Sequence, residues 1–292
     1  MAREETPFGR ILSDFLSSPT AVFGLVLLAA ILVVAIAAPF ISPQNPYDLA
    51  QLDVMDGRLP PGAKTDGGTF WLGTDDQGRD MLSAIFYGLR ISLTVGVVST
   101  VVALALGLAL GLAAAYLGGR TETVIMRIAD IQLSFPAILI ALILLAVLGQ
   151  GMLKIIAALV TVQWAYYART VRSAALVEKR KEYIEAARCL ALPPSRIVFR
   201  HLLPNCLPPL IVVATVQVAA AIALEATLSF LGLGLPITEP SLGLLIANGY
   251  QYLLSGKYWI SFFPGVALLI TIVSINLVAD QLRDVLNPRL QR

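Results

Sequence analysis

The sequence predicts an all-α polytopic membrane protein with six transmembrane helices, on two observations. First, 57% of the 292 residues are hydrophobic and only 14% are charged, whereas a soluble domain carries about 25% charged residues. Second, the apolar residues lie in unbroken blocks, and a helix that spans a bilayer needs about 20 consecutive apolar residues. These observations exclude a soluble globular enzyme, a disordered chain, a coiled coil and a nucleic-acid binder.

Six runs that lack Asp, Glu, Lys and Arg give the spans. They are residues 21–41, 91–119, 131–153, 155–168, 202–224 and 258–279. The fourth run is only about 21 Å long at 1.5 Å per residue. We therefore expect it to continue into Arg169 and Arg172, whose long side chains can reach the interface. Pro136 is expected to kink the third helix near its cytoplasmic end.

These spans set the predicted organisation of the chain and, with the charges, its orientation. The segments are an N-terminal segment 1–20, a first helix 21–41, an extracytoplasmic loop 42–90, a membrane core 91–279 with a cytoplasmic loop 169–201, and a tail 280–292. Fifteen of the 21 basic residues lie on the side of the two termini and six on the other side. Because cytoplasmic loops carry an excess of Lys and Arg, both termini are predicted to be cytoplasmic.

Two features within the membrane region predict packing. Gly107 and Gly111 form a G-x-x-x-G pattern in the second span, and small residues let helix backbones approach closely. We favour packing within the chain over a subunit interface. Glu225 lies about 35 Å from the start of the fifth span at 1.5 Å per residue, near the outer interface. An ion pair or a helix-end contact is favoured for it over a proton relay, and residues 226–238 are expected to form a re-entrant hairpin.

The cytoplasmic segment 178–205 contains a predicted amphipathic helix over residues 181–192. Its apolar stripe is formed by Tyr183, Ala186, Ala187, Leu190 and Ala191. The residues alone leave two interpretations open. The helix lies on the anionic inner leaflet, which the composition favours, or it inserts into a groove of a cytoplasmic partner.

A resemblance favours the second interpretation. Glu185-Ala186-Ala187, followed by the sequence HLLPN at residues 201–205, resembles the EAA loop of membrane subunits of ABC importers. In that family the loop is a coupling helix seated in a groove of the cytoplasmic ATPase. The coupling residues that the resemblance implies are Tyr183, Glu185, Ala186, Ala187, Leu190, Ala191, Pro193, Arg196, His201 and Pro204. The family pattern has glycine where this chain has Ala191, so we expect a different turn, supplied by Pro193-Pro194.

Further motifs resemble one branch of these importers, the second (C-type) permease of the dipeptide/oligopeptide/nickel family. They are FGLVLL at residues 23–28, LGTDDQGRD at 72–80, RISL at 90–93, SFLGLG at 229–234 and LRDVLNPRL at 282–290. The resemblance implies the type I ABC importer permease fold and a multi-pass location in the bacterial inner (cytoplasmic) membrane.

The motif at residues 72–80 carries a cluster of acidic residues. Asp75, Asp76 and Asp80 suggest a calcium loop, but their spacing differs from that of an EF-hand, and Arg79 lies among them. A structured turn in which Arg79 pairs with a neighbouring carboxylate is the simpler interpretation. We expect the loop, through Asp75, Asp76, Gly78, Arg79 and Asp80, to form part of the gate and the contact with an extracytoplasmic binding protein.

The predicted function is that of a non-catalytic permease subunit that forms half of the translocation pathway for peptides. The sequence has no G-x-x-x-x-G-K-[ST] stretch, so ATP and Mg are expected on partner subunits, and no cofactor or metal is expected on this chain. The resemblance implies a heterodimer with a second permease, two cytoplasmic ATPase subunits and an extracytoplasmic binding protein. Alternatives are another cargo (a nickel chelate, glutathione, an opine or a sugar), an ion-coupled secondary transporter and an intramembrane enzyme.

Overall fold

The computed structural model describes residues 7–48, 50, 52–65, 68–239 and 241–286. Parts of two predicted segments, residues 1–6 and the tail residues 287–292, lie outside these ranges. The helices are α1 (Pro7–Leu16), α2 (Pro19–Ile41), α3 (Met81–Leu117), α4 (Gly119–Ser134), α5 (Ala137–Leu148), α6 (Met152–Glu178), α7 (Glu182–Cys189), α8 (Pro194–Arg196), α9 (Leu203–Phe230), α10 (Leu242–Tyr250) and α11 (Trp259–Leu286). A π-helical segment, Ile197–Leu202, joins α8 to α9, and Val54–Asp56 and Leu253–Ser255 are short 3₁₀ turns.

The long loop between α2 and α3 departs from the all-α prediction, because it contains a β-hairpin. Strands β1 (Ala63–Thr65) and β2 (Gly68–Phe70) pair antiparallel, with Ala63 opposite Phe70. The loop is also shorter than predicted, since α3 begins at Met81 instead of residue 91. The side chain of Asp80 caps the first turn of α3 by accepting a hydrogen bond from the backbone N–H of Ser83 at 2.8 Å. The charge-free run shows only where the apolar sequence begins, at residue 91, whereas the helix α3 begins ten residues earlier.

Among the described residues, four helical stretches are long and apolar enough to cross a membrane. They are α2, α3, α11 and the continuous helix from Pro194 to Phe230. A fifth is obtained if α4 and α5 form one broken span. The predicted fourth span lies within α6. This helix is not apolar enough to be counted with the other four, because it contains polar side chains such as Gln163 and Arg169.

The predicted third span is broken, with an angle of 93° between α4 and α5. The break lies at Phe135-Pro136, and Pro136 precedes the first residue of α5. Proline cannot donate the backbone hydrogen bond that would continue α4, and it disfavours helical geometry in the residue before it. The predicted kink is therefore a full break.

The centre of the bundle is the contact between α3 and α6. A Cβ placed on Gly107 would lie 2.5 Å from Cβ of Tyr167, and one placed on Gly111 would lie 2.6 Å from the backbone oxygen of Ala168. No side chain fits at either glycine without displacing α6. The predicted packing within the chain is confirmed at both positions.

The outer end of α9 differs from the prediction. Residues 226–230 continue the helix, and a turn leads from Leu231 to the short helix α10. The predicted re-entrant hairpin over 226–238 is therefore wrong. Its first residues keep the helical periodicity of the span, with Ala226, Leu228 and Ser229 buried.

Candidate functional site

The short helix α7 rests on the rest of the chain through two side chains. Ile184 is fully buried and Ala187 is 4% exposed, and both pack in one apolar cluster with Ile197 and Leu202. Tyr116, at the end of α3, packs against the same cluster. The seat of α7 is therefore formed by the C-terminal end of α3 and the π-helical segment that precedes α9.

Ile184 is the residue that the sequence interpretation missed. Ile184 and Ala187 are three positions apart, so they lie on one face of the helix. This spacing fits helical periodicity as well as the spacing of the predicted stripe does. Of the five predicted stripe residues, only Ala187 is buried. The helix ends at Cys189, earlier than the predicted residue 192, so Leu190 and Ala191 leave the helical register.

The turn after α7 has the geometry that glycine usually supplies. Ala191 has a φ of 51°. The N–H of Leu192 donates to the carbonyl of Ala187 at 3.2 Å, and the N–H of Ala191 donates to the carbonyl of Arg188 at 2.9 Å. These two bonds define a Schellman motif, with Ala191 at the left-handed C′ position. The expected replacement of this turn by one built on Pro193-Pro194 is wrong, because alanine itself adopts the left-handed conformation.

A polar network ties the beginning of α7 to α6 and α9. The hydroxyl of Tyr183 donates to Oε2 of Glu178 at 2.6 Å, and Nζ of Lys181 donates to Oε1 of Glu178 at 2.6 Å. Asn205 donates to the Tyr183 hydroxyl at 3.1 Å and to the carbonyl of His201 at 2.7 Å. Desolvation, together with the Glu178 carboxylate, raises the pKa of Tyr183 to about 12. The tyrosine hydroxyl thus links α6 and α9 by donating to Glu178 and accepting from Asn205.

The other predicted coupling residues lie on the solvent side of this region. Leu190 is 74% exposed, and Glu185, Ala186 and Ala191 are exposed as well. Pro193 is the N-cap of α8, and Arg196 is the last residue of α8. The structure thus brings Tyr183 and His201 together, with ring centroids 6.5 Å apart, whereas Arg196 and Pro204 are exposed.

On the opposite face, the acidic motif is folded inward around Arg79. Arg79 is 1% exposed and Asp75 is fully buried. Nε of Arg79 donates to Oδ2 of Asp75 at 2.6 Å, and Nη1 donates to the backbone oxygen of Ile237 at 3.1 Å. The predicted pairing of Arg79 with a neighbouring carboxylate is confirmed. Within the described ranges, no three His, Cys, Asp or Glu side chains are grouped as metal ligands.

The neighbours of Arg79 fix the path of the loop. Gly78 has a φ of +77°, and a Cβ placed on it would lie 2.0 Å from the backbone oxygen of Asp53. Asp80 is 2% exposed and caps α3. Burial and the adjacent charge of Asp75 raise the pKa of Asp76. Because Asp75, Gly78, Arg79 and Asp80 are buried, a direct contact with a binding protein stays a prediction for Asp76 alone.

Glu225 is fully buried near the C-terminal end of α9. Oε2 accepts a hydrogen bond from Ser92 of α3 at 3.0 Å, and Oε1 accepts one from Ser229 at 2.7 Å. The predicted ion pair is not found among the described residues. Serine hydroxyls from two helices solvate the carboxyl group instead, which satisfies its oxygens without a cation.

The long helices form a bundle with the short helix α7 between two of them, and comparison with known proteins identifies the class. Residues 105–292 match the family of binding-protein-dependent transport system inner membrane components, and the chain belongs to that family. Residues 6–61 match the N-terminal transmembrane domain of oligopeptide transport permease C.

Individual relatives cover almost the whole chain. The dipeptide transport system permease protein DppC of Escherichia coli K12 is 40% identical over 98% of this chain and 95% of its own length. DppC of Bacillus subtilis is 36% identical over 93% of this chain and 82% of its own length. A chain of the MetNI methionine ABC transporter in inward-facing conformations has a TM-score of 0.58 and 23% identity, covering 71% of this chain and 98% of its own. This last likeness supports the fold.

Proposed function

We propose that this chain is a permease subunit of an ATP-driven importer of peptides and forms half of the translocation pathway. Two relatives that carry a dipeptide transport name are 36% and 40% identical over nearly the full chain, which supports peptides as the cargo. The chain itself is not an enzyme. ATP and Mg bind to partner ATPase subunits, and a second permease and an extracytoplasmic binding protein complete the transporter.

The observation that carries the proposal is the division of α7 into two faces. Ile184 and Ala187 attach the helix to its own chain, while Leu190 at 74% exposure and the exposed Ala186 are left uncovered. A helix that leaves an apolar patch next to Glu185 and Arg188 suits a groove in a partner protein. Small alanines in this patch permit close approach.

The proposed orientation places α7 in the cytoplasm with both termini. It follows from the excess of basic residues on that side. In this arrangement α6 serves as the remaining span and the broken pair α4/α5 as another, which gives six. Two charged residues of α6 are paired with carboxylates of α4: Arg172 pairs with Glu122, and Arg169 pairs with Asp130.

The test is a docking substitution in the assembled transporter. Leu190→Asp places a charge in the uncovered patch, and we expect it to lower binding-protein-stimulated ATP hydrolysis and uptake by roughly tenfold or more. Leu254→Asp is the control, because Leu254 is also a highly exposed leucine but lies in the turn between α10 and α11. Equal activity of the two variants would remove the docking role of α7.

Two further substitutions distinguish the contact of α7 with its partner from the contact of α7 with its own chain. Glu185→Lys changes an exposed charge and is expected to abolish transport while the chain remains inserted. Ala187→Asp buries a charge under α7 and is expected to detach the helix from the chain, so that loss of docking comes with loss of local structure. Hydrogen exchange of residues 182–192 distinguishes them.

Two measurements distinguish the alternative cargoes and the alternative mechanism. Binding of a labelled dipeptide, a nickel chelate, glutathione, an opine or a sugar to the cognate binding protein identifies the cargo. Uptake that follows a proton gradient and proceeds without any ATPase would instead establish a secondary transporter.

A further inference from the structure

An apolar groove lies between the cytoplasmic half of α3 and the start of α9. Its volume is about 400 Å³, and it is lined chiefly by Leu108, Leu112, Tyr116, Val198, Phe199 and Leu203. We call it the inner groove. Phe199 at its edge is 66% exposed, so the groove is open to the surroundings of the chain along its side.

The dimensions of the inner groove match one leaflet of a bilayer. Its α3 wall runs from Ala105 to Leu117, which is about 18 Å at 1.5 Å per residue. The hydrocarbon core of a bilayer is about 30 Å thick, so one leaflet is about 15 Å. An extended acyl chain that enters from the cytoplasmic side therefore fills the groove along its length.

Three arginines lie close in sequence to lining residues at the cytoplasmic end of the groove. Arg120 follows Leu117 by three residues, and Arg196 and Arg200 flank Phe199; all three are exposed. Within the described part of the chain, none of the three has a carboxylate at ion-pair distance. Three unpaired guanidinium groups beside an apolar slot suit a ligand with an anionic head and a hydrocarbon tail.

The negative end of α3 is neutralised at the same place. Nζ of Lys179 donates to the carbonyl oxygens of Ala115 and Tyr116, at 2.6 Å and 3.2 Å, and lies 5.8 Å from the centroid of the Tyr116 ring. Carbonyl groups at a helix C-terminus repel an anion. Lys179 satisfies two of them, so they do not oppose a phosphate group at this end of the groove.

We propose that the inner groove binds one anionic phospholipid of the inner leaflet. One acyl chain lies along α3 against Leu108 and Leu112, and the phosphate lies among Arg120, Arg196 and Arg200. The site rests on the orientation given under the proposed function. Because Phe199 and Leu203 continue directly from the seat of α7, the lipid would support the base of the coupling helix.

The test uses the complete transporter in nanodiscs and a phosphatidylglycerol probe with a diazirine in its acyl chain. After irradiation, mass spectrometry is expected to find adducts on residues 105–117 and 198–203, with unlabelled phosphatidylglycerol competing and phosphatidylcholine not competing. Arg196→Gln and Arg200→Gln should each lower the yield roughly fivefold. Arg283→Gln, which removes an exposed charge at the end of α11, should leave it unchanged.

A groove-filling variant tests the tail independently of the head group. Ala109 lines the groove and is exposed, so Ala109→Phe is expected to remove the adducts without unfolding the chain. Equal labelling by a phosphatidylcholine probe, or no change in the arginine variants, would overturn the proposal. So would crosslinks from the groove to the second permease subunit, because a protein would then cover it. Labelling requires neither ATP nor peptide, so its failure with transport intact leaves the proposed function standing.

Discussion

The two loops that protrude from the helical bundle are built in opposite ways. The loop 42–80 is held by buried polar contacts to distant parts of the chain: Arg79 donates to the carbonyl of Ile237, and Nε1 of Trp259 donates to the carbonyl of Thr74 at 3.2 Å. The short helix α7 is held on its buried side by Ile184 and Ala187, and at its beginning by the hydrogen bonds of Tyr183. The first loop thus rests on a buried ion pair and hydrogen bonds, with Val54, Met55 and Trp71 left exposed, whereas α7 rests mainly on two apolar side chains.

The largest effect is expected where the outer loop loses its buried charge pair. Arg79→Met leaves Asp75 buried without its cation, and removing one partner of a buried ion pair typically costs about 3–5 kcal/mol. Thermal unfolding of the purified chain in detergent should show this loss. Lys64→Met, an exposed change in the same loop, is the control. Equal melting temperatures would mean that the pair does not hold the loop.

The seat of α7 should respond locally. Ile184→Ala removes the largest buried side chain of the helix, at a cost of about 2–3 kcal/mol, which we expect to appear as faster hydrogen exchange over residues 182–192 with the bundle unchanged. Leu190→Ala, at 74% exposure, should change little in the isolated chain. If Ile184→Ala instead destabilised the whole bundle, the loops would not differ in the way described.

The turn after α7 gives a smaller effect of opposite sign. Ala191→Gly should stabilise the turn by about 1 kcal/mol, since a left-handed residue with a Cβ is strained and glycine is not. Slower hydrogen exchange at Ala191 and Leu192 would report it. Ala186→Gly, within α7, should have the reverse effect, because glycine weakens a helix interior. Slower exchange in both variants would contradict the strain at Ala191.

The smallest effect concerns the pH dependence of the outer loop. The pKa of Asp76 is raised in the folded chain, so between its unfolded and folded values the native state binds more protons. Stability contributed by this group is therefore present at low pH and lost as the pH rises through the folded pKa. Asp76→Asn should raise the melting temperature at neutral pH and reduce its fall between acidic and neutral pH. An unchanged profile would show that Asp76 does not titrate in this range.

Local patterns predicted what depends on local chemistry. Charge-free runs located the apolar parts of the long helices but not their ends, Pro136 located the break, and Gly107 and Gly111 located a close contact between α3 and α6. Three features depend on residues far apart in the sequence and could not be predicted this way. Arg79 donates a hydrogen bond to a carbonyl 158 residues away. Ile184 is buried by residues near the end of α3 and before α9, and Glu225 of α9 accepts a hydrogen bond from Ser92 of α3. Periodicity gives the face of a helix, but not which neighbour covers it.

The left-handed alanine also has a consequence for recognising related loops in other sequences. Position 191 has the dihedral angle of a glycine with the side chain of an alanine. A search pattern that requires the letter G six residues after the glutamate would therefore reject this loop. A pattern defined by helix length, a residue able to adopt positive φ and a following proline pair would accept it. For this motif, backbone shape is a better basis for classification than residue identity.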